Sequence, residues 1–208
     1  MAKPDFQLYF DILQTLERLQ APYVIIGAFA GTFYGVTRVT LDVDIVVDLT
    51  EEHIQALATA FPAPRFYADP DQMRDSIRLG ILFNIIDTSE ARKVDLIPLT
   101  MKPGYDFALA NRIRREILAT PEVGFQAWFA RPEDVIVGKL MAWQEGRSFK
   151  HETDIRDILT AINLGDDIEL SASFDPKYID RWAARLGSDV IQFWANLKQL
   201  IGLDDGQP

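Results

Sequence analysis

Three observations predict an α+β fold. Short apolar, β-branched runs occur at residues 23–27, 41–49, 81–87 and 91–99; helical patterns lie between the first three; and from residue 131 onward the periodicity is helical. The coarse order is strand-rich up to about residue 130 and helical afterwards. At 208 residues the chain is long enough to bury a substantial core, and a hydrophobic fraction of 48% with 25% charged residues gives no reason to expect disorder.

Residues 5–20 place Phe6, Tyr9, Phe10, Leu13 and Leu16 at helical spacing, and Pro22 ends that helix. Tyr23–Gly27 reads as a short buried strand. The small-residue segment AFAGTFYG then reads as a helix stopped by Gly35. LDVDIVVDL is the second strand, with Asp42 and Asp44 on one face because alternate residues of a strand point the same way. EEHIQALATAFP forms a helix with acids in its first turn, where the helix dipole favours them, and Pro62 and Pro64 close it. ILFNIID and ARKVDLIPL, separated by Thr-Ser-Glu, predict a hairpin with Asp95 inside its second strand. Strands are also expected at 113–119 and 122–129. The helix over 131–147 has Pro132 at its first position and Glu133 and Asp134 in its first turn. Ile155, Ile158, Leu159 and Ile162 give the next helix an apolar face, and residues 175–201 read as one or two more. Asp154 and Asp157, flanking Arg156, read as helix-surface pairs.

Composition removes several chemistries. There is no cysteine, so no disulfide, thiolate nucleophile or zinc–cysteine cluster. The two histidines, His53 and His151, form no zinc motif. No uncharged apolar run approaches the roughly 20 residues that cross a bilayer, and the N-terminus lacks the pattern of a secretory signal, so a soluble cytoplasmic protein with no membrane role is expected. A net charge of −10 argues against a broad nucleic-acid surface, which relies on lysine and arginine replacing counterions. Arg112, Arg114 and Arg115 nevertheless cluster in NRIRRE.

Two carboxylates at the start of an apolar strand, and a third on another, suit divalent cations acting on phosphate. Displacement at phosphorus uses carboxylates to hold two cations about 3.5–4 Å apart. Competing motifs are absent: Gly138-Lys139-Leu140 lacks the remainder of a phosphate-binding loop, and no Gly-x-Ser-x-Gly elbow occurs. Ile26-Gly27-Ala28, followed after about a dozen residues by Asp42-Val43-Asp44, resembles the signature of the nucleotidyltransferase superfamily, the polymerase-beta-like fold. IGAFAGTFYGVTRVTLDVDIVV is similar to the small prokaryotic members, including minimal nucleotidyltransferases and relatives in toxin-antitoxin systems. RPEDVIVGKLMAWQEGR followed by TDIRDIL resembles their helical C-terminal segment, so the likeness spans about residues 20–160.

The resemblance implies a mixed sheet flanked by helices, with a catalytic core over 1–130 and a helical C-terminal region over 131–208 packed on it. It implies that Asp42, Asp44 and Asp95 bind magnesium, with Asp95 also the base toward an acceptor hydroxyl. It implies further that Gly27 and Ala28 let a nucleoside triphosphate approach the backbone. Ala28 stands where the well-studied enzymes have Ser or Gly, which removes a hydroxyl contact to phosphate. Arg38 reads either as a phosphate contact or as an ion pair with a nearby Asp, while Thr40 orients the loop before the acids. Lys139, in an apolar helix, either reaches out to solvent or points at a triphosphate. The expected activity is magnesium-dependent transfer of a nucleoside monophosphate to a hydroxyl of a protein, an RNA 3′ end or a small molecule, with a toxin or antitoxin as partner. The alternative is a non-catalytic binding module of the same fold, acting as antitoxin or scaffold.

Overall fold

The computed structural model describes residues 6–40, 42–120, 123–165 and 167–203. They fall into two compact units: the stretch through Phe29 together with Thr40–Ala130, and Ala30–Val39 together with the chain from Arg131 onward.

The first unit is built on one mixed sheet. Helix α1 (Gln7–Arg18) buries Leu8, Tyr9, Ile12, Leu13 and Leu16 along one face. Strand β1 (Tyr23–Ile26) is buried at all four positions, which is why it reads as a continuous apolar run rather than an alternating one. After α2 (Gly27–Thr32), which carries the chain toward the second unit, β2 (Asp44–Val47) returns antiparallel to β1. Helix α3 (Glu51–Ala60) is capped by Thr50, whose hydroxyl accepts from the backbone of His53 while His53 Nδ1 accepts from the Thr50 N–H. His53 therefore has a structural task.

Strand β3 (Phe66–Tyr67) and helix α4 (Pro70–Leu79) follow, then the predicted hairpin of β4 (Phe83–Asp87) and β5 (Arg92–Pro98), the short α5 (Asp106–Ala110), and β6 (Ile113–Thr120) with β7 (Val123–Phe129). The strand order is β3-β4-β5-β2-β1-β7-β6. The β2–β5 and β1–β7 pairs are parallel and the others antiparallel. The mixed sheet is as expected. The second predicted strand is shorter than the sequence suggested: it begins at Asp44, so Asp42 lies before it, and Leu41 falls outside the described residues.

The second unit is helical: α6 (Pro132–Gly146), α7 (Phe149–Leu164), α8 (Ile168–Ser173), α9 (Pro176–Leu186) and α10 (Ser188–Ile201). Its segment 30–39 approaches α7 at Gly35, whose φ of +97° and closeness to Ala161, 2.5 Å from where a Cβ would stand, leave no room for a side chain. Trp143 of α6 stacks on Phe193 of α10 at 3.8 Å, and Trp194 Nε1 donates to Asp180 of α9. Among the described residues no helix is long and apolar enough to cross a membrane.

Candidate active site on the sheet

The parallel register of β2 and β5 sets Asp44 directly beside Asp95. The antiparallel register of the hairpin sets Asn84 on the other side of Asp95. Register partners project from the same face of a sheet, so Asn84, Asp95 and Asp44 form a polar row across three neighbouring strands. Asn84 Nδ2 donates to Asp95 Oδ1 at 2.5 Å, which orients the carboxylate. Asp42 is exposed, two residues upstream of Asp44, and Thr40 organises that approach: its hydroxyl donates to the Asp42 carbonyl at 3.1 Å and accepts from the Asp42 N–H at 3.4 Å.

Lys93, two residues before Asp95 on β5, is on the same face. Its Nζ lies 2.9 and 3.0 Å from the two oxygens of Asp95. The hydrogen bond to Asp95 holds its pKa above the usual lysine value against the cost of desolvation, and Asp95, Asp42 and Asp44 add electrostatic attraction. One ammonium thus feels all three acids. Tyr9, buried on α1, also senses them: burial raises its hydroxyl pKa, opposed by Arg92, and Asp42 and Asp95 push it up further.

Gly27 has φ +70°, and a Cβ there would stand 2.2 Å from Asp44 Oδ2. The neighbour against which this glycine leaves room is thus the Asp44 carboxylate. Ala28 is buried. Glycine is required at position 27 by both conformation and space.

Among the described residues no three His, Cys, Asp or Glu side chains are gathered as a ready-made metal cluster. The donor chemistry still fits magnesium. Every candidate ligand is a carboxylate, and this ion keeps several waters and typically takes one or two carboxylates plus substrate phosphates rather than an all-protein cage. Asp44 and Asp95, side by side in the sheet, are two such carboxylates, and Asp42 stands two residues before Asp44.

Arg38 and Lys139 belong to the second unit, where both grip Asp154. Arg38 makes a two-pronged pair with it, Nε to Oδ1 at 2.7 Å and Nη2 to Oδ2 at 2.9 Å, and Lys139 Nζ bonds Oδ2. Asp154 is fully buried and Lys139 is 5% exposed. Burial works to raise the Asp154 pKa, but the two cations hold it below the ordinary carboxylate value. Two expectations are corrected here. Lys139 does not reach out to solvent, because a buried acid one turn into the next helix gives its ammonium a partner. Asp154 and Asp157 are not surface pairs with Arg156: Asp154 is the centre of this cluster, and Asp157 accepts from the N–H and hydroxyl of Thr37. Arg38 does take an ion pair, but with Asp154 rather than with the acids that follow it in sequence.

No protein-family model and no curated protein matches the sequence. Solved structures do. An antigenic nucleotidyltransferase-like protein from Paracoccidioides brasiliensis superposes with a TM-score of 0.51 at 18% identity, covering 92% of this chain and 94% of that one. The chain has a nucleotidyltransferase-like fold. Two further solved structures are similar to it: JHP933 from Helicobacter pylori (TM-score 0.48, 15% identity, 96% of this chain and 89% of that one) and ANT(2'')-Ia in complex with adenylyl-2''-tobramycin (TM-score 0.46, 17% identity, 85% and 99%).

The structure sets Asp44 and Asp95, both singled out in the sequence, side by side in the sheet and leaves Asp42 before β2, while Asn84 and Lys93, which touch Asp95, were not singled out as site residues. A signal for Asn84 existed: counting back from the hairpin turn pairs Asp87 with Arg92 and therefore Asn84 with Asp95. Lys93 was visible as an i, i+2 neighbour of Asp95 on one strand face.

Proposed function

We propose that the protein is a magnesium-dependent nucleotidyltransferase that moves a nucleoside monophosphate from a triphosphate to an acceptor hydroxyl. The observation that supports this best is the side-by-side register of Asp44 and Asp95, with Gly27 making room for the Asp44 carboxylate, in a chain of nucleotidyltransferase-like fold. In the reaction the acceptor oxygen forms a bond to the α-phosphorus, the bond from that phosphorus to the bridging oxygen of the β-phosphate breaks, and pyrophosphate leaves. Asp95 takes the hydroxyl proton, oriented by Asn84. Asp42, Asp44 and Asp95 would hold magnesium, which when bound supplies charge stabilisation at the reacting phosphate and activates the attacking oxygen. Gly27 and Ala28 would flank the triphosphate. Arg38 and Lys139 both grip Asp154 in the second unit, so this reading gives them an architectural role there.

The acceptor is a hydroxyl of a protein, an RNA 3′ end or a small molecule. A net charge of −10 favours the protein or small molecule over RNA, and a cytoplasmic toxin-antitoxin pair is the setting that the sequence resemblance suggests. A second reading, a non-catalytic module acting as antitoxin or scaffold, draws on Ala28 and on the engagement of both Asp95 oxygens by the chain's own side chains.

Incubating the protein with cell extract, magnesium and each triphosphate labelled at the α-phosphate separates the two. Labelled acceptor that disappears in Asp44→Ala supports transfer. No label from any of the four triphosphates, together with a stable complex holding an unlabelled partner, supports the module.

A further inference from the structure

Both oxygens of Asp95 are already engaged. Asn84 donates to Oδ1, and Lys93 lies within 3.0 Å of both Oδ1 and Oδ2. Oδ1 has both lone pairs taken and Oδ2 one of its two, so an entering cation competes with Lys93 for this carboxylate. The two partners differ in what holds them. Asn84 is fixed by the hairpin register, in the middle of β4. Lys93 has a side chain 48% exposed on a flexible four-carbon stem, so its ammonium can leave into water without leaving a buried charge behind. Charge counting points the same way: one ammonium faces three acids, and a divalent cation would neutralise the group better.

We propose that Lys93 is the resident cation of this carboxylate face, and that a divalent metal binds there by displacing the Lys93 ammonium from Asp95. The inference rests on the metal-dependent reading of the site and adds a positioning residue to it. In the metal-free protein Lys93 holds Asp95 in place and offsets the mutual repulsion of Asp42, Asp44 and Asp95, which would otherwise weaken the edge where β2 and β5 meet. When metal enters, Asn84 keeps its bond to Oδ1 and Lys93 releases Oδ2. The lysine therefore lowers apparent metal affinity while protecting the empty site.

The test is calorimetric titration of manganese, as a magnesium substitute, into the wild-type protein, Lys93→Met and Asp44→Asn, with melting temperatures recorded in the absence and presence of the metal. A partly exposed ion pair is worth little, so Lys93→Met should bind manganese about threefold to tenfold more tightly than wild type. Without metal it should melt at a lower temperature, and manganese should raise its melting temperature by more than it raises that of wild type. Asp44→Asn should lose binding. Equal or weaker binding by Lys93→Met, with binding still lost in Asp44→Asn, overturns the displacement and leaves the carboxylate site standing. No binding by wild type or Lys93→Met overturns both the site and the displacement.

Discussion

Asp95 and Asp154 each bind a lysine and one further side chain, yet the two centres are built on opposite charge balances. Asp154 is a single, fully buried acid between two cations, Lys139 and Arg38. Lys93 is a single, half-exposed cation shared among Asp95, Asp42 and Asp44. In the first arrangement every charge has a partner inside the chain, and removing Asp154 strands the Lys139 ammonium in the interior. The second has an excess of negative charge open to solvent and a cation that can be exchanged. A buried centre whose acid is fully paired serves the architecture of its unit, whereas an exposed centre with more acids than cations has capacity left for an incoming cation.

The sharpest way to break this contrast is to remove Asp154. Asp154→Ala leaves Lys139 buried without its partner and should cost about 3–5 kcal/mol of stability by urea unfolding. The double variant Asp154→Leu with Lys139→Met should recover much of that loss, since an apolar replacement of a buried pair is often neutral. A loss below about 1 kcal/mol in Asp154→Ala, the size of an exposed pair, would erase the distinction between the two centres.

On the sheet side, Gly27→Ala forces a left-handed backbone on alanine and drives a methyl group into the Asp44 carboxylate. It should cost about 1–3 kcal/mol and displace Asp44, so manganese binding should fall more than stability does. Unchanged metal binding in a folded Gly27→Ala protein would separate Gly27 from the acid site.

How much of this was legible in the sequence follows from what alternation and periodicity encode. They report which face a side chain occupies, and so they placed Asp44 and Asp95 on two separate apolar strands; that these strands are neighbours came from the structure. They do not report partners distant in the chain. Arg38 and Asp154 are separated by 116 positions, and nothing local in RVTLDVD distinguishes a bond to Asp154 from one to Asp42. Lys139 was misread for the same reason: α6 is buried nearly all round, so its pattern offered no polar face, and the acid that satisfies the lysine lies in α7. Helix α4 passed unread although its signals were present. Asp69 caps it by accepting from the N–H groups of Asp71 and Gln72, and Pro70 fills its first position. Its weak apolar content, with only Met73 and Ser76 buried, hid the periodicity.

A smaller effect sharpens the buried side of the comparison. His151 is pushed down to about 4, mainly by burial, with Lys139 and Lys150 adding and Asp154 opposing. Its Nδ1 is buried without a hydrogen-bond partner. Below the ordinary value of 6.5 the unfolded chain binds a proton that the folded one refuses, so stability is fully present above that pH and falls as pH drops toward 4. The slope from this one group is at most about 1.4 kcal/mol per pH unit. The difference in unfolding free energy between wild type and His151→Gln, followed from pH 7 to 4, should therefore move against wild type. A constant difference would mean that the imidazole is not shielded in the folded state.

The measurement that tests the carboxylate face most directly is the melting temperature with and without saturating magnesium, in wild type and in Asp42→Ala. Three crowded acids gain more from a divalent cation than two, so magnesium should raise the melting temperature of wild type and raise that of Asp42→Ala by less. No rise in wild type with magnesium and any of the four triphosphates, or an equal rise in both proteins, would contradict a metal site at Asp42, Asp44 and Asp95.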